Sequence, residues 1–337
     1  MYAKDAIRNK SSLAIVNRRF KNLKILFNQD PLDFFNDVSF KFRKSLNANN
    51  IAITGSAGKT SVKELTGFCL KKLEKTFFSV NSFNNKYGVP LTIFNTPQDA
   101  KFVVFEVGMD KKGEIDNLTK LIRPNLGLIT NISYAHIKNF KNLDRIARAK
   151  GEIIDNIIPG GSIVINIDDK YSNFFIKKAK KRKLKIISFS KKNKKADITF
   201  LKQEKKKDDY LIYLKIKNKI KTFIVSKDLV RYQENILASL CIIINYFDFE
   251  KLNKKLFLNF KIPKSRGSIK HIKNGLKKLT IIDESYNSNP LSLKSAISNY
   301  DKIFSKKFKK YLLLGDMLEL GKHSKKLHQS IAATINK

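Results

Sequence analysis

Tryptophan is absent from this chain, and its 337 residues include only 2 cysteines, 7 prolines and 14 glycines. Cys69 and Cys241 lie in two separate apolar helical patterns, so a disulfide framework or a cysteine-built metal centre is excluded and both read as core residues. Apolar runs long enough for a membrane span are also missing. The longest candidate, residues 236–247, is interrupted by Ser239 and Asn245. A cleavable leader is lacking too, because Arg8, Lys10, Arg18, Arg19 and Lys21 break any apolar core near the start. These absences predict a cytoplasmic location without membrane insertion. Acidic residues are the last shortage: 29 Asp and Glu face 68 Lys and Arg, a formal charge of +39. Such a surplus invites a nucleic-acid reading. Yet the lysines are scattered through every segment, and runs such as 177–185 and 191–195 read as solvated faces of helices and loops. No specific nucleic-acid partner is expected, only weak, salt-sensitive adherence.

What is present is an ordinary globular composition, 42% hydrophobic, long enough for about two or three domains. Residues 1–47 read as a helix (3–9), two short strands (12–16 and 24–27) and a second helix (31–46), too little for a comfortable core of their own. From Ile51 the pattern alternates strand and helix, which predicts an α/β fold with a mainly parallel sheet covered on both faces. The apolar runs 102–107, 126–132 and 162–167 have the length of buried parallel strands, and they end on Glu106, Asn131 and Asp168. Segments 197–201, 210–216 and 219–225 change to alternating polar and apolar residues and predict an antiparallel group, with a polar turn over 204–209. A helix over 233–247 leads to a boundary at 263–267. A second α/β stretch follows: strand 279–283, a turn at 287–290, a helix, strand 311–314 and helix 322–336. No internal repeat is visible.

The run Thr54-Gly55-Ser56-Ala57-Gly58-Lys59-Thr60-Ser61 follows the apolar residues 51–53 and opens a helical segment over 61–73. In that context the glycines allow backbone N–H groups to approach a polyphosphate, the helix N-terminus adds its dipole, Lys59 can reach phosphate oxygens and the Thr60 hydroxyl can ligate Mg²⁺. The expectation is an ATP or GTP site. Ligands of open α/β sheets lie beyond the carboxyl ends of the strands. Glu106 is therefore placed to hold Mg²⁺, or else to pair with a lysine. His136 ends up at a comparable sheet edge, where a lone histidine is more often structural than a ligand. Lys150, from its spacing, is a helix-surface lysine, and Asn235 a polar residue near a helix cap. Arg266, between Ser265 and Gly267, suits a hinge cation that reaches a phosphate on closure. Asp283, at a strand end, could accept from a ribose hydroxyl.

Taken together, TGSAGKTS (54–61), SFNNKYGVPLT (82–92), EVGMDKKGEI (106–115), ITNISYAHI (129–137), ARAKGEI (147–153), DESYNSNP (283–290) and LGDMLELG (314–321) resemble the Mur ligase family, in family order through nearly the whole chain. The resemblance implies three domains: a partial uridine-nucleotide-binding domain (1–47), a central ATP-binding domain (48–263) and a partial Rossmann-like domain (264–337). It implies a cytoplasmic, monomeric, ADP-forming ligase of peptidoglycan precursor synthesis, using ATP and Mg²⁺ to join D-alanyl-D-alanine to UDP-N-acetylmuramoyl-tripeptide through an acyl phosphate. By the same resemblance, residues Gly55, Ser56, Ala57, Gly58, Lys59, Thr60 and Ser61 bind phosphates. Thr60 and Glu106 hold one Mg²⁺, while His136 and a carbamylated Lys150 help hold a second. Asn235 contacts adenine, Arg266 a phosphate, Asp283 the ribose, and Asn84 and Asn85 the peptide substrate. Glu284 and Ser288 stand where Asp and Ala are usual. The opening part of the first domain and much of the closing domain are expected to be missing. Two alternatives stay open: a related ligase with another acceptor, of muramyl-peptide or folylpolyglutamate type, and an inactive basic protein that keeps a nucleotide fold.

Overall fold

The computed structural model describes residues 2–21, 23–275, 277–303 and 309–336. Near the start, β1 (Ala14–Val16) and β2 (Ile25–Phe27) form a small parallel pair, followed by the helix Pro31–Ser45. Asp30 caps that helix by accepting from the backbone N–H groups of Leu32 and Asp33, with Pro31 at its first position.

Nine strands then build one sheet: β3 (Asn49–Thr54), β4 (Thr76–Phe78), β5 (Phe102–Glu106), β6 (Leu126–Ile129), β7 (Ser162–Asn166), β8 (Lys185–Ser190), β9 (Ile198–Lys206), β10 (Asp209–Ile216) and β11 (Lys219–Ser226). Their order is β11-β10-β9-β8-β7-β6-β3-β5-β4. All pairings from β4 to β9 are parallel, and β10 runs antiparallel to both its neighbours. The central strands are apolar on both faces because both are covered. On one side the helices Lys59–Lys71 and Gln233–Ile244 pack Leu65, Cys69, Leu240 and Cys241 against Ile51, Ile53 and Val104. On the other, Ile93, Ile115, Leu118, Ile146 and Ile153 meet Ala52, Val103 and Phe105. Both cysteines are free and fully buried, as their apolar surroundings predict, and burial pushes both thiols up.

The register places the site. Ile53 pairs with Glu106 on one side and Leu128 on the other, so Thr54, Glu106 and Thr130 emerge together at the carboxyl edge. The chain leaves β3 toward β4 on one flank and later returns to β6 on the other. That reversal opens a crevice beside β3, where ligands of such sheets sit.

Two expectations need correction. β9 continues through Lys206, so only Lys207 and Asp208 form the turn. Residues 203–206, although polar, find ladder partners in β10, and that pairing outweighs composition. Strand 311–314 does not form: no strand lies beside it among the described residues, and Leu313 is fully exposed. An apolar run becomes a strand only when its backbone groups find a partner. Strand 279–283 does form, as part of β13 (Lys277–Asp283), but it pairs antiparallel with β12 (Ser268–Asn274) in a two-stranded sheet. Among the described residues no helix is long and apolar enough to cross a membrane.

One buried cation ties the fold to the crevice. Lys63, completely buried in the helix after the glycine loop, donates to Ser79 O (2.6 Å) and Asn81 O and pairs with Glu64 (2.9 Å). Its three N–H bonds are thereby matched, and the segment 79–81 is fixed against the helix. Lys63→Met, which keeps the bulk but strands two carbonyls, is expected to lower unfolding free energy by about 2–4 kcal/mol. A urea titration checks this; an unchanged midpoint would contradict the role.

Candidate active site

The glycine loop, residues 55–58, turns from β3 into the helix Lys59–Lys71 through two left-handed glycines. Gly55 has φ 147° and Gly58 φ 82°. At Gly55 a side chain is excluded twice, by conformation and by space, since a Cβ there would stand 1.8 Å from Thr130 Oγ1. The closeness is used. Thr130 Oγ1 donates to Ala57 O (2.6 Å), Ser56 N to Asn131 O (2.9 Å), Ala57 N to Asn131 Oδ1 (3.0 Å) and Ser133 N to Ser56 Oγ (2.8 Å). The loop is thus stitched to the segment that continues β6.

At the start of the helix, Lys59 folds back to donate to Gly55 O (3.0 Å). Burial lowers its pKa, with Glu106 acting upward and Arg266 downward. Thr60 donates to Glu106 Oε2 (2.7 Å), and Asn84 Nδ2 donates to Glu106 Oε1 (2.8 Å). Glu106 is only 1% exposed, yet both these partners are neutral. Ser82 stands 3.4 Å from Thr60 and accepts from Arg266 Nη2 at 3.0 Å. The Arg266 guanidinium also lies over the Tyr286 ring, 3.9 Å from its centroid.

These groups open onto a cavity of about 980 Å³. Ser56 to Ser61, Asn84, Asn85, Glu106, His136, Asn235 and Arg266 all line it, as the sequence-based reading expects. Asn85 is partly spent on structure, since its Oδ1 accepts from the N–H groups of Tyr87 and Gly88 and so starts the helix Gly88–Phe94. Asn235 reaches the loop: its Oδ1 lies 3.2 Å from where a Gly58 Cβ would be.

Two residues depart from expectation. Asp283 does not line the cavity; its carboxylate accepts from the hydroxyls of Ser265 (3.0 Å) and Ser285 (2.6 Å), and the neighbouring Glu284 faces the cavity instead. The strand's alternation explains the exchange. Lys150 is not a surface lysine. It is 1% exposed, in a helix (Leu143–Lys150) that also buries Ile146, Ala147 and Ala149. No hydrogen bond or ion pair reaches its ammonium among the described residues. Burial, reinforced by Lys59, holds its pKa well below the lysine range.

His136, with φ 59°, faces Glu319 Oε2 (2.5 Å) and Asp110 Oδ1 (3.1 Å) across Nδ1, although neither approach has hydrogen-bond alignment. Glu319 belongs to the segment that packs Met317 and Leu320 into the core and donates no strand to it. Sequence reasoning passed over Ser82, Thr130 and Glu319. Their only local signal is membership of the 82–92, 129–137 and 314–321 motifs.

Residues 53–243 match the Mur ligase middle domain, more than half of the chain. The chain belongs to the Mur ligase family. Among curated Mur ligase relatives, it is 29% identical over 339 residues to the UDP-N-acetylmuramoyl-tripeptide--D-alanyl-D-alanine ligase of Rickettsia prowazekii, covering 99% of this chain and 74% of the relative. It is 30% identical over 355 residues to the enzyme of that name from Buchnera aphidicola subsp. Acyrthosiphon pisum, covering 100% and 72%. The crystal structure of MurF from Acinetobacter baumannii superposes with a TM-score of 0.87 at 25% identity, over 99% of this chain and 72% of that one. The mixed α/β fold with a parallel-rich sheet is therefore that of the Mur ligases, and the chain spans roughly three quarters of these relatives' lengths.

Gly55→Ala tests the stitched loop. The new methyl must displace Thr130, at a cost of about 1–3 kcal/mol. Thermal unfolding should register it as a lower Tm; an unchanged Tm would show that the loop accommodates a side chain.

Proposed function

We propose that this chain is an ATP-dependent, ADP-forming ligase that joins D-alanyl-D-alanine to UDP-N-acetylmuramoyl-tripeptide in peptidoglycan precursor synthesis, acting in the cytoplasm as a monomer. The observation that carries the reading is the Lys59–Thr60–Glu106 constellation at the mouth of the crevice, opening into one cavity that also holds Asn84, Asn85 and Arg266. In this reading residues 1–47 belong to a uridine-nucleotide domain, 48–263 bind ATP, and 264–337 belong to the closing domain.

The chemistry needs two anions brought together. A terminal carboxylate oxygen of the tripeptide attacks the γ-phosphorus of ATP, ADP departs, and the resulting acyl phosphate has a leaving group that the carboxylate lacked. The amine of D-alanyl-D-alanine then attacks the acyl carbon and loses a proton. The tetrahedral adduct collapses to amide and inorganic phosphate. Lys59 and Arg266 supply cations to the phosphates, and the loop N–H groups supply dipoles. Asn84 and Asn85 orient the peptide.

A divalent ion fits here: Glu106 is a buried carboxylate with no cationic hydrogen-bond partner among the described residues, and Thr60 adds a hydroxyl oxygen. Mg²⁺ bound there would neutralise phosphate charge. His136 and Lys150 are the residues for a second ion. Lys150 suits its part because burial lowers its pKa, and an amine with no hydrogen-bond or ion-pair partner among the described residues can, in its neutral form, react with CO₂, releasing a proton and forming a carbamate.

Phosphate release from ATP is expected only with both substrates present, and Lys59→Ala should abolish it together with ATP binding. Release without either substrate, or binding indifferent to Lys59, would sink the proposal. Folate-type or other muramyl acceptors that replace D-alanyl-D-alanine would favour a sister activity. Incubation with ¹³C-bicarbonate should yield one protein-bound carbamate carbon resonance that is missing in Lys150→Arg. Its absence from the unsubstituted protein would remove the carbamate.

A further inference from the structure

The dipeptide acceptor carries a free carboxylate at the end remote from its reacting amine, and an anion drawn into a cavity needs a cation that is not already committed. Besides Lys59 and Arg266, the cavity wall contains four: Lys86, Lys191, Arg231 and Lys294. Lys191 pairs with Glu234 (3.2 Å) and Arg231 with Asp228 (3.3 Å). Lys86 is exposed, lies over the Tyr87 ring (5.2 Å) and belongs to the segment that carries Asn84 and Asn85. Lys294 is half-buried and has no hydrogen bond, ion pair or ring contact among the described residues.

Its surroundings suit a small polar ligand. Lys294 lies on the helix Pro290–Ile303, where Leu291, Ser295 and Ser298 also line the cavity at i−3, i+1 and i+4, one continuous face. No acidic residue sits in that helix's first turn. The first N–H groups are no competitors for the anion, because Asn289 Oδ1 already accepts from Leu291 N (3.1 Å) and Ser292 N (3.0 Å). Asn289 is itself buried and faces Ser133, next to the stitched loop. The helix is thus anchored near the loop by the residue that precedes it, and its serine-rich face lines the same cavity as the loop. An extended dipeptide reaches about 7 Å, less than two turns of helix.

We propose that Lys294 binds the carboxylate of the D-alanyl-D-alanine acceptor and thereby selects for a free C-terminus; this rests on the ligase reading above. It is a specificity-determining contact in the wall of the cavity, not a member of the phosphate machinery.

The test is calorimetric binding to the full chain, preloaded with a non-hydrolysable ATP analogue and UDP-N-acetylmuramoyl-tripeptide. D-alanyl-D-alanine is compared with its C-terminal carboxamide. The unsubstituted protein should prefer the carboxylate by roughly tenfold or more, as a charge-assisted bond demands. Lys294→Met should lose that preference by weakening the carboxylate form alone, Lys294→Arg should keep part of it, and both should bind the ATP analogue normally. Retained preference in Lys294→Met, or its loss in Lys86→Met instead, overturns the assignment. If the unsubstituted protein binds nucleotide but neither acceptor, the ligase reading itself falls and the inference with it.

Discussion

Everything catalytic in this molecule hangs on a backbone-to-hydroxyl contact: Thr130 Oγ1 donating to Ala57 O at 2.6 Å over a glycine that has no side chain to keep them apart. That contact decides where the helix Lys59–Lys71 begins, and hence where Lys59 and Thr60 point. It also binds the loop to the chain continuing β6, while Glu106 arrives from β5 at the same level on the far side of β3. The helix after β3 thus delivers a cation and a hydroxyl, and β5 a carboxylate, to one crevice, while the chain after β6 holds the loop. The geometry is a property of the parallel register, and loops need supply little of it.

The electrostatics follow from that crowding. Glu106 is buried with neutral donors, Lys59 is half-buried near it, and Lys150 is buried with no hydrogen-bond or ion-pair partner among the described residues. Lys59 and Arg266 line the crevice around the buried carboxylate of Glu106, so this end of the site holds more cation than anion. Polyphosphate and a carboxylate substrate correct that imbalance. The site is better described as incomplete without its anions than as stable in their absence.

How much of this the sequence discloses depends on whether the cause is local. The loop is legible because strand, glycines, lysine and helix are contiguous, and Glu106 because a hydrophobic run ends on it. The segments 102–106, 162–166 and 209–226 show their strands through their own apolar or alternating pattern. The burial of Lys150 is not visible locally, since its helix reads as amphipathic with a basic last turn; only the sheet packed against it makes that turn interior. The substitution of Glu284 for Asp283 in the cavity wall depends on which face of β13 turns inward, and the failure of 311–314 to become a strand depends on what lies beside it. Ser82 gains its place only because Lys63 draws residues 79–81 onto the loop helix, a tie between positions that carry no shared pattern.

The nine-stranded sheet has two open borders, and the lysine surplus bears on one of them. β4 is three residues long and offers little template. β11 is longer, but Ile224 N already donates to Lys254 O, Lys221 reaches Glu250 O (2.7 Å) and Lys219 pairs with Glu250. A strand from another molecule approaching that border meets a backbone already in use and a row of ammonium groups. The composition that suggests a polyanion-binding surface thus also works as insulation, keeping a long exposed ladder from recruiting copies of itself.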